Sequence, residues 1–389
     1  MTHRQMITPP GPRLIMAGRG DSFAPFLLRA LQARYPVVGE VDAELSQVQR
    51  LLSAAITFRP SRRAWIERFY KSELSVRLRS RNARRAVRAL PEQYDVIFQT
   101  HALFELTGFQ TVIYIDCTHR QSAEQWPDWN PLGPAALRRW YGRERRQYQA
   151  AAHLFAFSHE TQQSLIQDYG VPAGRVTVVG AGLNFDELPD EPPARPTDLP
   201  PTVLFVGNDF VRKGGVQLLD AFRIVRESVP TARLRIAGTP YPIPAQPGVD
   251  VLGRIQSRQE MSNLYAQAHV FCLPSTFEPY GFVLLEAMAH GLPCVSTTTC
   301  GVPEIIIEAE TGMMIARTGP GGTVNTADLA VALTNLLTHP ERATQMGAAG
   351  RQRVQDTLLW SQVVDRMAPT LEHLPRTISL TDTARPTTD

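Results

Sequence analysis

The sequence predicts an α/β protein of two parallel-sheet domains facing each other across a cleft. Three observations carry this. At 389 residues the chain is longer than one ordinary core organises. Apolar runs of strand length alternate with amphipathic helical stretches, the pattern of a parallel sheet covered on both faces. The alternation breaks once, at ELPDEPPARPTDLPP (187–201), where six of fifteen residues are proline and neither a helix nor an inner strand can run.

Before the break, RLIMAG (13–18), YDVIFQT (94–100), TVIYID (111–116), HLFAFS (153–158) and RVTVVG (175–180) read as buried strands. Helical stretches such as FLLRALQARY and RRQYQAAA lie between them. After the break, TVLFVG (202–207), RLRIAG (233–238), VDVLG (249–253), HVFCLPS (269–275) and PCVSTT (293–298) repeat the pattern, with helices expected at 215–228, 258–268, 281–290 and 326–337. The chain thus divides into a first domain over 1–186, a linker over 187–201, a second domain over 202–374 and a flexible tail over 375–389. The final helix of the second domain is expected to pack back on the first. Both domains read as Rossmann-like, so a ligand is expected in the cleft, outside the carboxyl ends of the strands.

Composition is globular, with 43% hydrophobic and 20% charged residues, and a formal charge of +3 does not by itself point to nucleic acid or membrane. No nucleic-acid-binding module is recognisable, and no nucleic-acid partner is expected. No apolar run approaches the ~18–20 residues that span a bilayer. The N-terminal stretch lacks an apolar core followed by a small-residue cleavage site, so a cytoplasmic location is expected. Cys117, Cys272, Cys294 and Cys300 form no C-x-x-C pair and read as buried free thiols. No His/Cys cluster has zinc-ligand spacing and no D-x-D motif occurs, so no metal or other cofactor is expected.

The most informative segment is LPSTFEPYGFVLLEAMAHGLPCVST: a strand, a loop, a helix, then Gly291 and Pro293 as its stop. Gly281 lets a ligand approach the helix start, where unpaired amides and the helix dipole suit a phosphate without a metal. Glu278 and Glu286, seven residues apart, bracket that start. Carboxylates repel phosphate and accept from hydroxyls, so the pair suits the groups on either side of a diphosphate. A solvated role for Glu286 conflicts with a helix that is apolar nearly all round; Glu278 alone reads equally well as an ordinary loop acid. In VLFVGNDFVRKGGVQLLDAF, Arg212 and Lys213 follow a strand that ends at Gly207, an arrangement that suits a diphosphate leaving group.

Together these segments resemble the retaining glycosyltransferases of family four, which have the GT-B fold. The resemblance covers roughly 90–370 and is strongest over 200–315. It rests on S-x-x-E-P-x-G-x-x-x-x-E-A-M-A-x-G-x-P, on Gly207, Lys213 and Gly214 in a G-(x)5-K-G pattern, and on GVPEIIIEAETGMMI (301–315). The resemblance implies that Glu278 contacts the transferred sugar and Glu286 the donor ribose. It implies that backbone amides of Tyr280, Gly281, Phe282 and Val283 meet the sugar and diphosphate, and that Lys213 neutralises the latter. The base would pack near Gly238, Arg254 and Ile255. One departure is Asn208, where the family has an arginine; Arg212 is the candidate replacement.

In the first domain, Gly18-x-Gly20 has no third glycine at the usual spacing, so the dinucleotide fingerprint fails and a structural turn is the better reading. The family carries a histidine after a strand here. TVIYID continues into Cys117, Thr118 and His119, so either Asp116 or His119 takes that place, with His101 a weaker candidate. Ser158, Glu160 and Gly182–Asn184 match landmarks near the hinge and read as mainly structural.

Residues 59–88 hold eleven Arg/Lys and two Glu, interleaved with aromatic and aliphatic residues. A solvated helical face is the plainer reading; a peripheral contact with an anionic inner membrane surface is the sharper one.

The resemblance implies a UDP- or GDP-sugar donor, a carbohydrate or lipid-linked acceptor, retained anomeric configuration and no divalent ion. The rival readings are a nucleotide-sugar epimerase on the same fold and a catalytically degenerate binding protein.

Overall fold

The computed structural model describes residues 11–130, 132–185, 199–319 and 321–376, and places twelve strands in two six-stranded parallel sheets. Residues 186–198 of the proline-rich stretch and 377–389 of the tail lie outside the described residues.

The first sheet holds β1 (Leu14–Gly18), β2 (Val37–Asp42), β3 (Val96–Thr100), β4 (Thr111–Ile115), β5 (His153–Ala156) and β6 (Val176–Val178), in the order β2-β1-β3-β4-β5-β6. Around it lie α1 (Ala24–Gln32), α2 (Gln47–Thr57), α3 (Arg62–Lys71), α4 (Glu73–Ala89), α5 (His119–Gln125), α6 (Pro134–Ala150) and α7 (His159–Gln167). The second sheet holds β7 (Thr202–Val206), β8 (Arg233–Ala237), β9 (Val249–Gly253), β10 (Val270–Leu273), β11 (Cys294–Thr297) and β12 (Gly312–Ile315). Its helices are α8 (Gly215–Ser228), α9 (Arg258–Ala266), α10 (Phe282–Ala289), α11 (Val302–Ile305), α12 (Thr326–Thr338) and α13 (Pro340–Thr357), followed by α14 (Trp360–His373).

The second sheet runs β12-β11-β10-β7-β8-β9, all parallel, so the order in which strands are added reverses between β7 and β10. The first reverses between β1 and β3. These reversals open a crevice at the carboxyl ends of the two flanking strands, the place where such sheets bind ligands.

Burial explains which strands the sequence announces. β3, β4, β5, β7, β10 and β11 are buried along their whole length and appear as mainly apolar runs, with Gln99 in β3 and His153 in β5 the large polar exceptions. The two strands not foreseen, β2 and β12, are edge strands; β2 is half-exposed and interrupted by Gly39, and β12 is four residues long.

Helix starts follow local capping. Ser46 and Thr118 form capping boxes with Gln49 and Gln121, and the Ser158 side chain accepts from the Thr161 amide to open α7.

The last helix crosses to the first domain. Arg34, just beyond α1, pairs with Asp365 at 2.5 Å and with Glu372 at 3.0 Å, and Arg366 Nε donates to the Val179 carbonyl at 2.8 Å. Trp360 Nε1 donates to Asn184 Oδ1 at 3.1 Å. An aromatic cluster completes the seam: Phe23 of the first domain stacks on both Phe282 and Trp360 with centroids 5.9 Å apart.

Candidate active site

The carboxyl ends of β7 and β10 bring Lys213 and Glu278 together, with Nζ donating to Oε2 at 2.8 Å. Arg212 Nη1 lies 3.6 Å from the same oxygen, and Ser275 Oγ donates to it at 3.3 Å. None of Arg212, Lys213 and Glu278 is more than 8% exposed. Burial pushes the Glu278 carboxyl up, but Lys213 and then Arg212 outweigh it and hold the group below its ordinary value, hence ionised.

Gly207 makes the arrangement possible: a Cβ there would lie 2.3 Å from Lys213 Cδ, so only glycine lets the lysine stem cross the strand end. Gly238, at the end of β8, packs against the Gly207 backbone. Asn208 lines a cavity of about 870 Å³ with Arg212, Thr239, Tyr241 and, from the first domain, Arg62 and Trp129. The Arg212 guanidinium lies 4.8 Å over the Trp129 ring and also donates to the Phe277 carbonyl.

Gly281 has φ 106°, a left-handed turn that aims the chain into α10. The first amides of an α-helix have no acceptor one turn earlier, and Gly281 at this start lies against Glu278, whose Cγ would be 3.5 Å from a Cβ there. The side chains around this start are structural: Tyr280 Oη donates to the Ala181 carbonyl at 2.9 Å, Phe282 stacks on Phe23, and Val283 is half-buried against the core. Glu286 accepts from Tyr265 Oη at 2.7 Å, and burial lifts its carboxyl above the ordinary value against the pull of Tyr265, Arg258 and Lys213. Arg254 is exposed and Ile255 packs against the core; neither lines the 870 Å³ cavity.

The first domain contributes a charged group that the sequence only hinted at. His101, just beyond β3, has its Nε2 3.5 Å from Asp21 Oδ1 and its Nδ1 3.2 Å from Asp116 Oδ1. Burial lowers the imidazole's affinity for a proton, but Asp116 and Asp21 reverse this and raise its pKa well above the ordinary value. Asp21 goes the other way: burial raises it, yet His101 and the Thr100 hydroxyl bring it down to about 2. An imidazolium is thus fixed between two carboxylates, at the reversal point of the first sheet.

This changes the weighting of the three candidates. Asp116 stands at the cleft end of β4 and holds His101. His119 begins α5 with its ring against Trp140 and Tyr141 and its Nε2 3.3 Å from Asn130 Oδ1; burial, with Lys71 nearby, pushes it down to about 3, so it is neutral. His101, weaker in the sequence reading, carries the charge. Asp21 and Trp129 were not foreseen; Asp21 follows Gly18-x-Gly20 directly, the one signal that pointed to it.

His101, Asp21 and Asp116 line a cavity of about 370 Å³ with Tyr70, Lys71 and Trp140. Trp129 borders this cavity as well as that of Asn208 and Arg212, together with Ile66 and Glu67. Hinge-side landmarks join the domains: Glu160 accepts from the Cys300 amide at 2.9 Å, and Glu304 accepts from the His159 amide at 2.9 Å. Asn184 accepts from Arg258 at 2.7 Å through its carbonyl.

Two family descriptions match the chain: Glycosyl transferases group 1 over residues 200–339 and Glycosyltransferase Family 4 over 27–187. The chain belongs to the family 4 glycosyltransferases. Alpha-maltose-1-phosphate synthase of Mycolicibacterium smegmatis is 27% identical over 248 residues, 57% of this chain and 63% of that protein. A GDP-mannose-dependent monoacylated alpha-(1-6)-phosphatidylinositol monomannoside mannosyltransferase of Corynebacterium glutamicum is 31% identical over 195 residues, 46% of this chain and 49% of that protein. The match thus spans less than two thirds of these relatives. Sucrose-phosphate synthase of Thermosynechococcus elongatus superposes with a TM-score of 0.68 at 18% identity, over 92% of this chain and 98% of that one, a likeness of fold. The family 4 glycosyltransferase fold is GT-B, two Rossmann-like domains with the cleft between them.

Among the described residues, no group of three or more His, Cys, Asp and Glu is placed to hold a metal ion, and no helix is long and apolar enough to cross a membrane.

Proposed function

We propose that this chain is a retaining, metal-independent hexosyltransferase that moves a sugar from a UDP- or GDP-sugar to an acceptor hydroxyl, in polysaccharide, glycolipid or other glycoconjugate synthesis. The observation that carries the reading is the buried Lys213–Glu278–Arg212 group at the sheet reversal, beside the start of α10. An incoming diphosphate replaces Glu278 as the counterion of Lys213, with Arg212 and the helix start sharing the charge that develops on the leaving group. Glu278, released from the lysine, accepts from sugar hydroxyls. Glu286, already hydrogen-bonded and desolvated, accepts from the ribose, and the base rests near Gly238, Arg254 and Ile255.

On the opposite wall, His101 holds Asp21 and Asp116 in place through its two ring nitrogens, and the carboxylate oxygens it leaves free accept from sugar hydroxyls. The acceptor hydroxyl attacks from the face the diphosphate leaves, which retains the anomeric configuration; closure of the two domains supplies the positioning. No covalent sugar–enzyme intermediate is required. The test is slow hydrolysis of a nucleotide sugar by the purified protein. Loss of that activity in Lys213→Ala supports the seat, and hydrolysis indifferent to the substitution removes it.

The acceptor is a carbohydrate or a lipid-linked glycan, met by a cytoplasmic protein at the inner membrane face. Supporting the membrane contact, α2 and the residue after it leave Val48, Leu51, Leu52, Ile56 and Phe58 52–76% exposed, beside the arginine-rich 59–88 segment. An apolar stripe next to cations suits an anionic bilayer. Co-sedimentation with phosphatidylglycerol vesicles, weakened by Leu51→Ser with Ile56→Ser, is the expected result; equal sedimentation of both proteins contradicts it.

A further inference from the structure

Behind α6, away from the cleft, lies a cavity of about 650 Å³ that the transfer reaction leaves unused. Its walls carry Arg77 and Arg84 of α4 and Arg138, Arg139, Arg143 and Arg146 of α6. Two acids share it, Glu73 and Glu105, and Glu73 is paired with Arg77 at 3.1 Å. Among the described residues, Arg84, Arg138, Arg139 and Arg146 have no side-chain partner.

Exposed arginines on two facing helices are by themselves a solvated surface. Arg143 is different. It is 4% exposed, its guanidinium lies 3.7 Å over the Trp140 ring, and its Nε and Nη2 have no hydrogen-bond partner. A buried guanidinium with unmet donors is costly unless an acceptor arrives. Gathering six like charges in one cavity is costly in the same way.

We propose that this cavity is a second anion site, distinct from the donor seat, that takes a phosphate-bearing ligand of more than one negative charge. The chemistry is that of the guanidinium fork, which binds two oxygens of a phosphate at once. Six arginines against Glu73 and Glu105 in the cavity, with Glu144 beside Arg143, leave three positive charges uncompensated, more than a single phosphate monoester supplies. The volume admits a phosphorylated sugar or a bisphosphate. The same chemistry is offered by a soluble phosphorylated metabolite and by anionic lipid headgroups. Trp140 separates this site from the cleft, since its ring carries Arg143 on one side and lines the His101 cavity on the other.

The inference does not rest on the transferase reading, and its test removes the donor seat first. Pyrophosphate is titrated by calorimetry at low ionic strength into the Lys213→Ala protein, and into the same protein carrying Arg138→Ala and Arg146→Ala. The expected result is one binding event that weakens at least tenfold with the two arginines gone. Both are exposed on α6, and circular dichroism checks that the fold is kept. Arg143→Met, where it folds, abolishes the event. In the second arm, vesicles of cardiolipin, whose headgroup carries two phosphates, in a phosphatidylcholine background replace pyrophosphate. Arginine-dependent binding there, with no response to pyrophosphate, assigns the phosphates to lipid headgroups and keeps the site. Failure of both probes, or binding that ignores the arginines, overturns it.

Discussion

Replacing Glu278 by glutamine removes the charge that Lys213 and Arg212 share while keeping the side chain's volume. In the ligand-free protein this leaves buried Lys213 facing a neutral amide, while Arg212 keeps Asp209 Oδ2 at 3.5 Å. Breaking a buried pair by removing one partner costs about 3–5 kcal/mol, and the 2.8 Å contact between groups under a tenth exposed belongs to that class. For a domain of this size that is a drop of roughly 2–4 °C in Tm per kcal/mol.

Nucleotide affinity moves differently. The freed cations have lost their internal competitor, so a nucleoside diphosphate binds Glu278→Gln at least as well as it binds the parent, and restores much of the lost stability. A ligand at 100 times its Kd contributes about 2.7 kcal/mol. Turnover falls, because the sugar hydroxyls lose a charged acceptor worth about 1.5–3 kcal/mol, or roughly 10- to 150-fold. The assay joins thermal melts with and without UDP and GDP, calorimetry, and turnover of the matching nucleotide sugar. Equal losses of nucleotide affinity and turnover would refute this division of labour.

Glu286→Ala is expected to weaken nucleotide binding by about 1.5–3 kcal/mol, whereas Tyr265→Phe, which removes only the hydroxyl that orients Glu286, costs about 0.5–1.5 kcal/mol; unchanged affinity by calorimetry in Glu286→Ala rejects the ribose role. His101 has its folded pKa raised, so the stability it contributes is complete below its unfolded value of about 6.5 and is lost only as pH rises through the higher folded value. An NMR titration should therefore place the His101 midpoint above 6.5, and a midpoint at or below that value contradicts the double carboxylate clamp. Asp116→Asn removes one clamp and brings that transition down toward neutrality, with a new inflection in the pH–rate profile; an unchanged profile places His101 outside the reaction. Phe23→Ala is expected to destabilise by about 3–5 kcal/mol, because its ring stacks on two aromatic side chains across the domain seam; a melt shifted by less than 1 kcal/mol shows a seam held mainly by other contacts.

The second domain was the more legible because its site is local in sequence. Lys213 lies six residues beyond Gly207, and Glu278, Gly281 and Glu286 occupy a single strand–loop–helix unit. The residue types themselves state the chemistry: glycine where a chain must approach, acids at the two ends, cations at a strand terminus.

The first domain's site is spread over three strand ends. Asp21, His101 and Asp116 meet only because the sheet runs β1-β3-β4, and that order depends on long-range pairing that periodicity does not reveal. His119 attracts attention as a histidine after a strand, yet the capping box at Thr118 turns it into a helix and packs its ring against α6. Trp129 belongs to a short proline- and tryptophan-rich stretch with no motif, and its role comes from reaching across the cleft to Arg212. The edge strand β2 was missed for the converse reason, since its half-exposed or exposed Gly39, Glu40 and Asp42 break the apolar run that marks a strand, while β12 is only four residues long.

The central claim is that the buried cations at the β7 and β10 ends form a diphosphate seat. Calorimetric titration of UDP and GDP into the parent protein and into Lys213→Ala tests it directly. The account predicts that one of the two nucleotides binds the parent and that its Kd rises at least tenfold in the variant. Binding that survives the substitution unchanged, or no binding of either nucleotide to the parent, contradicts it.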